Sequence, residues 1–310
     1  MVRFDKRHWA LILGGSSGFG LATAARLGAE GLNVCVVHRD RRGAMDRIER
    51  EFDAIRAHGH GFLSLNLDAL SPEGITTTLA ALAERMGPEG RVRLLLHSIA
   101  FGNLRPLVAA RPGADGPDAV ERLAQALNLA RADVDRAVRQ LADAGETAFL
   151  GLAPVNYGES VLEDEDVART VYAMGTSLLT WVQRVHAAGL FASDARVIGL
   201  TSEGNEVAWR GYAAVAAAKS ALESISRAIA VEFGPHGIRS NIVQPGVTDT
   251  PALRLIPGSG QMKAAALRRN PLGRLTTTAD VANMICLLCS DEAAWVNGAI
   301  IRVDGGEHVA

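Results

Sequence analysis

Short apolar runs alternate along this chain with amphipathic stretches of helical period. An apolar run at residues 9–13 breaks into Gly14-Gly15-Ser16-Ser17-Gly18-Phe19-Gly20, and residues 21–27 then keep a helical pattern. Further apolar or β-branched runs lie at 32–37, 62–67, 91–96, 196–200, 239–243 and 299–303. Helical patterns separate them, including long ones at about 164–188 and 211–233 and a last one at 278–289. Such alternation predicts one α/β domain over 1–310, built on a doubly wound parallel sheet of about seven strands. Local signals mark several ends. Ser71 precedes Pro72 as an N-cap before a proline at the first helical position. Ser160-Val161-Leu162-Glu163 has capping-box spacing, and the acidic run 163–166 suits the positive end of the helix that follows.

The pattern changes at 104–150. The stretch from Arg111 to Pro117 reads as a loop, and helical patterns follow at 118–127 and 132–144. They are separated by a break around Asn128 and stopped at Gly145, with Val134, Val138 and Leu141 in helical register. The segment is predicted to be a helical hairpin inserted after the fourth strand. Its place at the ligand edge leaves a substrate lid, a partner-docking surface, an oligomer contact and an inert elaboration all open. Residues 251–266 read as a mobile substrate-binding loop.

Composition narrows the class. The 310 residues are 48% hydrophobic and 21% charged, with a formal net charge of −2, enough for one large core and with no electrostatic case for nucleic acid or a membrane as partner. The N-terminus shows no signal-peptide pattern, and no apolar run is long enough to span a bilayer, so the cytoplasm is the expected compartment. Cys35, Cys286 and Cys289 form no disulfide framework. Cys286 and Cys289 sit in an apolar helical run and are expected to pack in the core rather than hold a metal.

Strand, glycine turn and helix form the opening of a Rossmann-type dinucleotide-binding unit. Glycine lets the backbone turn sharply and approach a pyrophosphate, and the helix N-terminus offers unpaired N–H groups to it. The spacing here is Gly14-x-x-x-Gly18-x-Gly20. About 20 residues beyond such glycines an acidic residue takes the ribose 2′-OH in NAD-binding units. Here Arg39 holds that place, followed by Arg41 and Arg42, which suits a 2′-phosphate and predicts NADPH over NADH. A solvated basic loop is the alternative. Asp68, just after the third strand, is expected at the carboxyl edge within reach of the adenine, or serves as a turn aspartate.

With these motifs in order, the chain resembles the short-chain dehydrogenase/reductase family over nearly its full length, the inserted hairpin apart. The likeness rests on the glycine turn, Asp68, the strand end at His97, Ser202, Lys219, Pro245-Gly246 with Thr250, and the closing Asp304-Gly305-Gly306. Ordinary members carry a Tyr four residues before the active-site Lys, whereas position 215 here is Val. The available phenol is Tyr212, seven before Lys219, and the fourth strand ends in His97-Ser98-Ile99-Ala100. Both features, with Leu200-Thr201-Ser202, resemble the enoyl-(acyl-carrier-protein) reductases. The glycine loop is of the ordinary dehydrogenase type, and Ser202 stands where many enoyl reductases have a second Tyr, so the chain resembles a divergent member.

The resemblance implies NADPH-dependent reduction of the C=C bond of a trans-2-enoyl thioester carried on acyl-carrier protein or coenzyme A. Tyr212, Lys219 and Ser202 are its implied catalytic residues. Cofactor contacts are implied at Gly14, Ser16, Ser17, Gly18, Phe19, Gly20, Arg39, Asp68, Ala69, Ser98, Ile99, Ala100, Lys219, Pro245, Gly246, Val247 and Thr250. Backbone groups of Ile99 and Val247, with Thr250, would orient the cofactor. Trp209 and Tyr212 are candidates to line the acyl pocket, and His97 is expected beside the adenosine. A carbonyl reductase and a non-catalytic NADPH sensor are the competing functions. Family members imply a homotetramer or homodimer packed through the helices at 164–188 and 211–233.

Overall fold

The structure, a computed structural model, describes residues 4–109, 119–143, 146–152, 155, 157–158 and 160–310. In chain order the elements are β1 (His8–Leu13), α1 (Gly18–Ala29), β2 (Asn33–His38), α2 (Met45–Arg56), β3 (Phe62–Asn66), α3 (Pro72–Met86) and β4 (Arg91–His97). Then come α4 (Ala119–Leu127), α5 (Arg131–Asp143), α6 (Asp164–Val171), α7 (Ser177–Ala187), β5 (Phe191–Leu200) and α8 (Ala213–Glu232). The chain closes with β6 (Ile238–Pro245), α9 (Pro251–Arg254), α10 (Ser259–Arg269), α11 (Thr278–Leu288) and β7 (Ile300–Val303). All seven strands pair in parallel in the order β3-β2-β1-β4-β5-β6-β7.

Strand residues alternate between two apolar cores, because successive side chains leave a strand on opposite faces. Leu11, Leu13, Cys35, Leu95 and Val197 pack with Trp181, Val185 and Leu222 of α7 and α8. Ala10, Ile12, Val34, Leu94 and Ile198 pack with Leu27, Phe52, Val281 and Cys286 on the other face. Both faces are covered, as a parallel sheet requires. Strand order reverses at β1/β4, so the turns after those two strands part at the sheet's carboxyl edge, where such folds leave a crevice.

The predicted caps are partly realised. The Ser71 hydroxyl accepts from the Gly74 amide at 2.9 Å, with Pro72 first in the helix. The other helix starts later than its Ser160 spacing suggested: Glu163 is the N-cap of α6, and its amide donates to Asp166 at 3.3 Å. From there the chain stays helical to Ala187, close to the predicted end at 188. A π-helical turn, Tyr172–Thr176, separates α6 from α7 and brings Gly175 against α8.

Within 104–150, α4 and α5 form the predicted hairpin, sealed by Val120, Ala124, Val134 and Val138. Asn128 at its break has φ +54, the left-handed conformation a chain reversal needs. The loop 111–117 and the stop at Gly145 lie outside the described residues. The expected loop at 251–266 is corrected. It forms α9 and α10, with the Thr250 hydroxyl accepting from the Leu253 amide at 3.2 Å and Pro251 opening α9. Cys35, Cys286 and Cys289 are buried free thiols, and burial pushes Cys35 and Cys289 up to about 12. Among the described residues no cluster could hold a metal and no helix is long and apolar enough to cross a membrane.

Candidate active site

The glycine turn is shaped by close backbone approach. Gly14 has φ +85, and a Cβ there would meet the Ser98 carbonyl oxygen at 2.6 Å. A Cβ on Gly20 would meet the Gly14 carbonyl oxygen at 2.2 Å, so neither position tolerates a side chain. Gly18, at φ +54, opens toward Thr250, whose nearest side-chain atom would be 3.7 Å from its Cβ. Ser17 is the N-cap of α1 but its side chain caps no amide, which leaves the first N–H groups of the helix free for a phosphate. The turn therefore fits a dinucleotide, with Ser16, Ser17, Gly18, Phe19 and Gly20 as its near residues.

At the far end of the crevice, the Arg39 guanidinium donates to Asp68 at 2.9 Å and lies 4.8 Å from the centroid of the Phe101 ring. Asp68 also accepts from the Leu70 amide at 2.9 Å. The aspartate expected to reach the adenine is thus bonded to the arginine expected to read a 2′-phosphate. Ala69 is buried beside them, and its carbonyl accepts from the Trp181 indole at 2.9 Å.

Between the turns after β4, β5 and β6 lies a cleft of about 220 Å³. Its lining includes Phe19, Ser98, Ile99, Ala100, Ser202, Tyr212, Lys219, Pro245, Gly246, Val247 and Thr250, so the structure brings together the residues expected around the reacting end of a cofactor. Tyr212 and Lys219 both line this cleft. Tyr212 is the N-cap residue of α8, outside its helical turns, and Gly211 before it has φ +78. The Tyr212 hydroxyl and the Ser202 hydroxyl are 3.2 Å apart and within hydrogen-bonding reach. Burial raises the Tyr212 phenol, and the bond to Ser202 partly offsets this. The Lys219 ammonium donates to the Leu200 carbonyl at 2.8 Å, and burial pushes it down to about 8. Val215 is buried with Ala173, Met174, Tyr212 and Ala218, so the place of the ordinary family phenol is a packed apolar wall.

His97 is buried at the end of β4, where its Nε2 bonds the Ser177 hydroxyl of α7 at 2.8 Å. Because Ser177 donates to the Ala173 carbonyl, Nε2 carries the proton and Nδ1 is left an unpaired acceptor. Burial first, and Lys219 next, push His97 down to about 3, so it is neutral. The Val247 amide donates to Glu307 at 3.1 Å, which ties the turn after β6 to the C-terminal residues. The Thr250 hydroxyl accepts from the Leu253 amide at the start of α9 and keeps its own O–H to donate.

Several site residues escaped the sequence. Glu203 holds Arg269 through two bonds of 2.9 Å, and Arg269 reaches Glu307 at 3.1 Å. This chain of charges ties the turn after β5 to α10 and the C-terminal residues along one side of the cleft. Glu223, at helical spacing from Lys219, had a signal that could have revealed it. Arg269 and Glu307 had none, because only the tertiary fold carries them there.

Residues 115–308 match the family model described as Enoyl-(Acyl carrier protein) reductase, and residues 8–109 match that of short chain dehydrogenase. The chain belongs to the short-chain dehydrogenase/reductase superfamily, a family of nicotinamide-dependent oxidoreductases. It is 27% identical over 307 residues to the 3-oxoacyl-(acyl-carrier-protein) reductase FabG of Pseudomonas aeruginosa, covering 97% of each chain. It is 27% identical over 297 residues to the cis-4-hydroxycyclohexanecarboxylate dehydrogenase of Sinomonas cyclohexanicum, covering 96% of this chain and 95% of that one. A match of 38% to the D-erythrulose reductase of Gallus gallus spans 110 residues, 36% of this chain and 45% of that protein. The solved FabI structure from Candidatus Liberibacter asiaticus shares the fold at TM-score 0.71 and 20% identity, covering 100% of this chain and 98% of that one. So does a Burkholderia cenocepacia short chain dehydrogenase in complex with NADP, at TM-score 0.68 and 22% identity over 97% and 98%.

Proposed function

We propose that the protein reduces the C=C bond of a trans-2-enoyl thioester with NADPH, as an enoyl-(acyl-carrier-protein) reductase of fatty-acid synthesis. One observation carries the reading. Tyr212 is the tyrosine of the cleft among the described residues, while the position four before Lys219 is the buried Val215. Residues 98–100 and 245–250 would hold a dihydronicotinamide, which would supply hydride to the substrate β-carbon, a proton from water at the α-carbon completing the reduction. Negative charge then develops on the thioester oxygen, and the Tyr212 hydroxyl stabilises it by donating a hydrogen bond in a site where burial strengthens the interaction. Ser202 orients that hydroxyl. Protonated Lys219 holds the nicotinamide ribose and lowers the cost of the nearby negative charge. Leu104, Met174, Trp209, Leu253, Ile256 and Met262 give the cleft an apolar wall for an acyl chain.

Arg39 supports NADPH, and equal KM values for NADPH and NADH would remove that part of the reading. The carrier is acyl-carrier protein or coenzyme A, and the chain assembles as a homotetramer or homodimer.

A second reading, carbonyl reduction, is favoured by the Ser202–Tyr212 contact, because a Ser–Tyr pair can also protonate a ketone oxygen. The test is NADPH oxidation with crotonyl and acetoacetyl thioesters side by side. Turnover of crotonyl alone is expected; turnover of acetoacetyl alone would replace the first reading with the second.

A further inference from the structure

We propose that Glu223 is a positioning residue of the Tyr212–Lys219 site: its carboxylate fixes the segment that carries Ser202 and supplies a buried negative charge opposite the Lys219 ammonium. The proposal rests on the pairing of Tyr212 with Lys219 set out above. Glu223 stands four residues beyond Lys219 in α8, where side chains share a helix face, and the two are 8% and 6% exposed. Thr201 Oγ1 and Asn205 Nδ2 both donate to its Oε1, the latter at 2.7 Å. These two donors bracket Ser202, so the turn after β5 is pinned on both sides of the hydroxyl that meets Tyr212. Leu200, one residue earlier, is the acceptor for Lys219. An ammonium and a carboxylate one helical turn apart therefore grip the same short segment.

Those hydrogen bonds alone do not require an acid. A glutamine carbonyl would accept from Thr201 and Asn205 equally well, and a buried carboxylate is costly unless its charge is compensated. Lys219, one helical turn away and likewise buried, supplies the opposite charge in this proposal. Burial drives its ammonium toward the neutral form, and the Glu223 charge opposes this. The other groups around Lys219 do not substitute. His97 from β4 is neutral, Tyr212 is raised by burial, and Glu203, Arg269 and Glu307 in the same cleft are bonded to one another.

The sequence has three lysines, Lys6, Lys219 and Lys263, so competitive acetylation of the whole protein by acetic anhydride across pH, read by peptide mass spectrometry, follows Lys219 directly. In Glu223→Gln the Lys219 midpoint is expected to fall by about one pH unit, with Lys6 unmoved, because an opposite charge nearby favours the ammonium. The alkaline limb of the pH–kcat profile should move the same way. An unmoved Lys219 midpoint overturns the charge role, and this readout needs neither substrate nor cofactor, so it stands apart from the choice of reaction. Glu223→Ala also removes the acceptor, and kcat is expected to fall at least about tenfold with the KM for NADPH held. If that variant fails to fold, Thr201→Val tests the same link by deleting one donor. Unchanged kcat in the folded variant overturns the loop role.

Discussion

At the scale of single residues, Tyr212 is where the chemistry turns. Its hydroxyl is buried, meets Ser202 and lines the same cleft as Lys219, while its ring fills the space beside Gly204. Tyr212→Phe keeps that ring and deletes only the donor. Turnover should fall about 100-fold or more, the usual loss for one donor to a developing oxyanion, while fluorescence titration shows NADPH still binding. Unchanged turnover would take Tyr212 out of the mechanism. His97 gives a separate prediction. Its folded value of about 3 lies below the ordinary 6.5, so between these values the unfolded chain binds a proton that the folded chain does not. The stabilising contribution is complete above pH 6.5 and is lost as pH falls toward 3. Urea unfolding at successive pH values should show a weaker acid dependence in His97→Leu than in the parent; an identical dependence would exclude His97 as its source.

Among the elements, the contact between the π-helical turn and α8 governs where Lys219 stands. A Cβ on Gly175 would meet the Ala218 carbonyl at 2.6 Å and the Ala221 Cβ at 3.4 Å. Gly175→Val must therefore push the two helices apart at the residue preceding Lys219. Overpacking of this kind costs about 1–3 kcal/mol. Thermal unfolding should show a lowered Tm together with reduced kcat, and a variant with parental Tm would mean the helices are not in fixed contact there. The inserted segment belongs to this scale too. Residues 147–152 rest on α10, where a Cβ on Gly151 would lie 3.8 Å from that of Ala264, and α10 in turn gives Met262 and Arg269 to the cleft. The insertion thus braces a wall of the cleft.

For the whole molecule, the sheet's switch point, the two cores and the cleft form one arrangement, and the homodimer or homotetramer proposed above would extend it. Light scattering coupled to size exclusion should give two or four chain masses, and a monomer at micromolar concentration would rule the assembly out.

Much of the fold was legible in the residues because it rests on local rules. Strand runs, Ser71 before Pro72, the break at Asn128 and the Gly14–Gly18–Gly20 spacing each follow from side-chain periodicity or from backbone conformations open to few residue types. The same rules misplaced what depends on partners. The 251–266 segment lacks a strong apolar period, yet α10 forms because residues 147–152 and the cleft pack against it. Arg93 and Arg196, charged residues in central strands, are buried because carbonyls of Leu288, Cys289 and Ser290 at the end of α11 accept hydrogen bonds from them and Asp194 pairs with both. By itself, then, the sequence determined the α/β architecture and the glycine turn between strand and helix, and it singled out Tyr212 and Lys219, which the fold brings to one cleft. Only the tertiary structure decided that Asp68 answers Arg39, that Glu307 takes the Val247 amide, that His97 faces Ser177 and that Glu223 underlies the site. Each of these depends on distances between groups far apart in the chain, which periodicity and spacing do not encode.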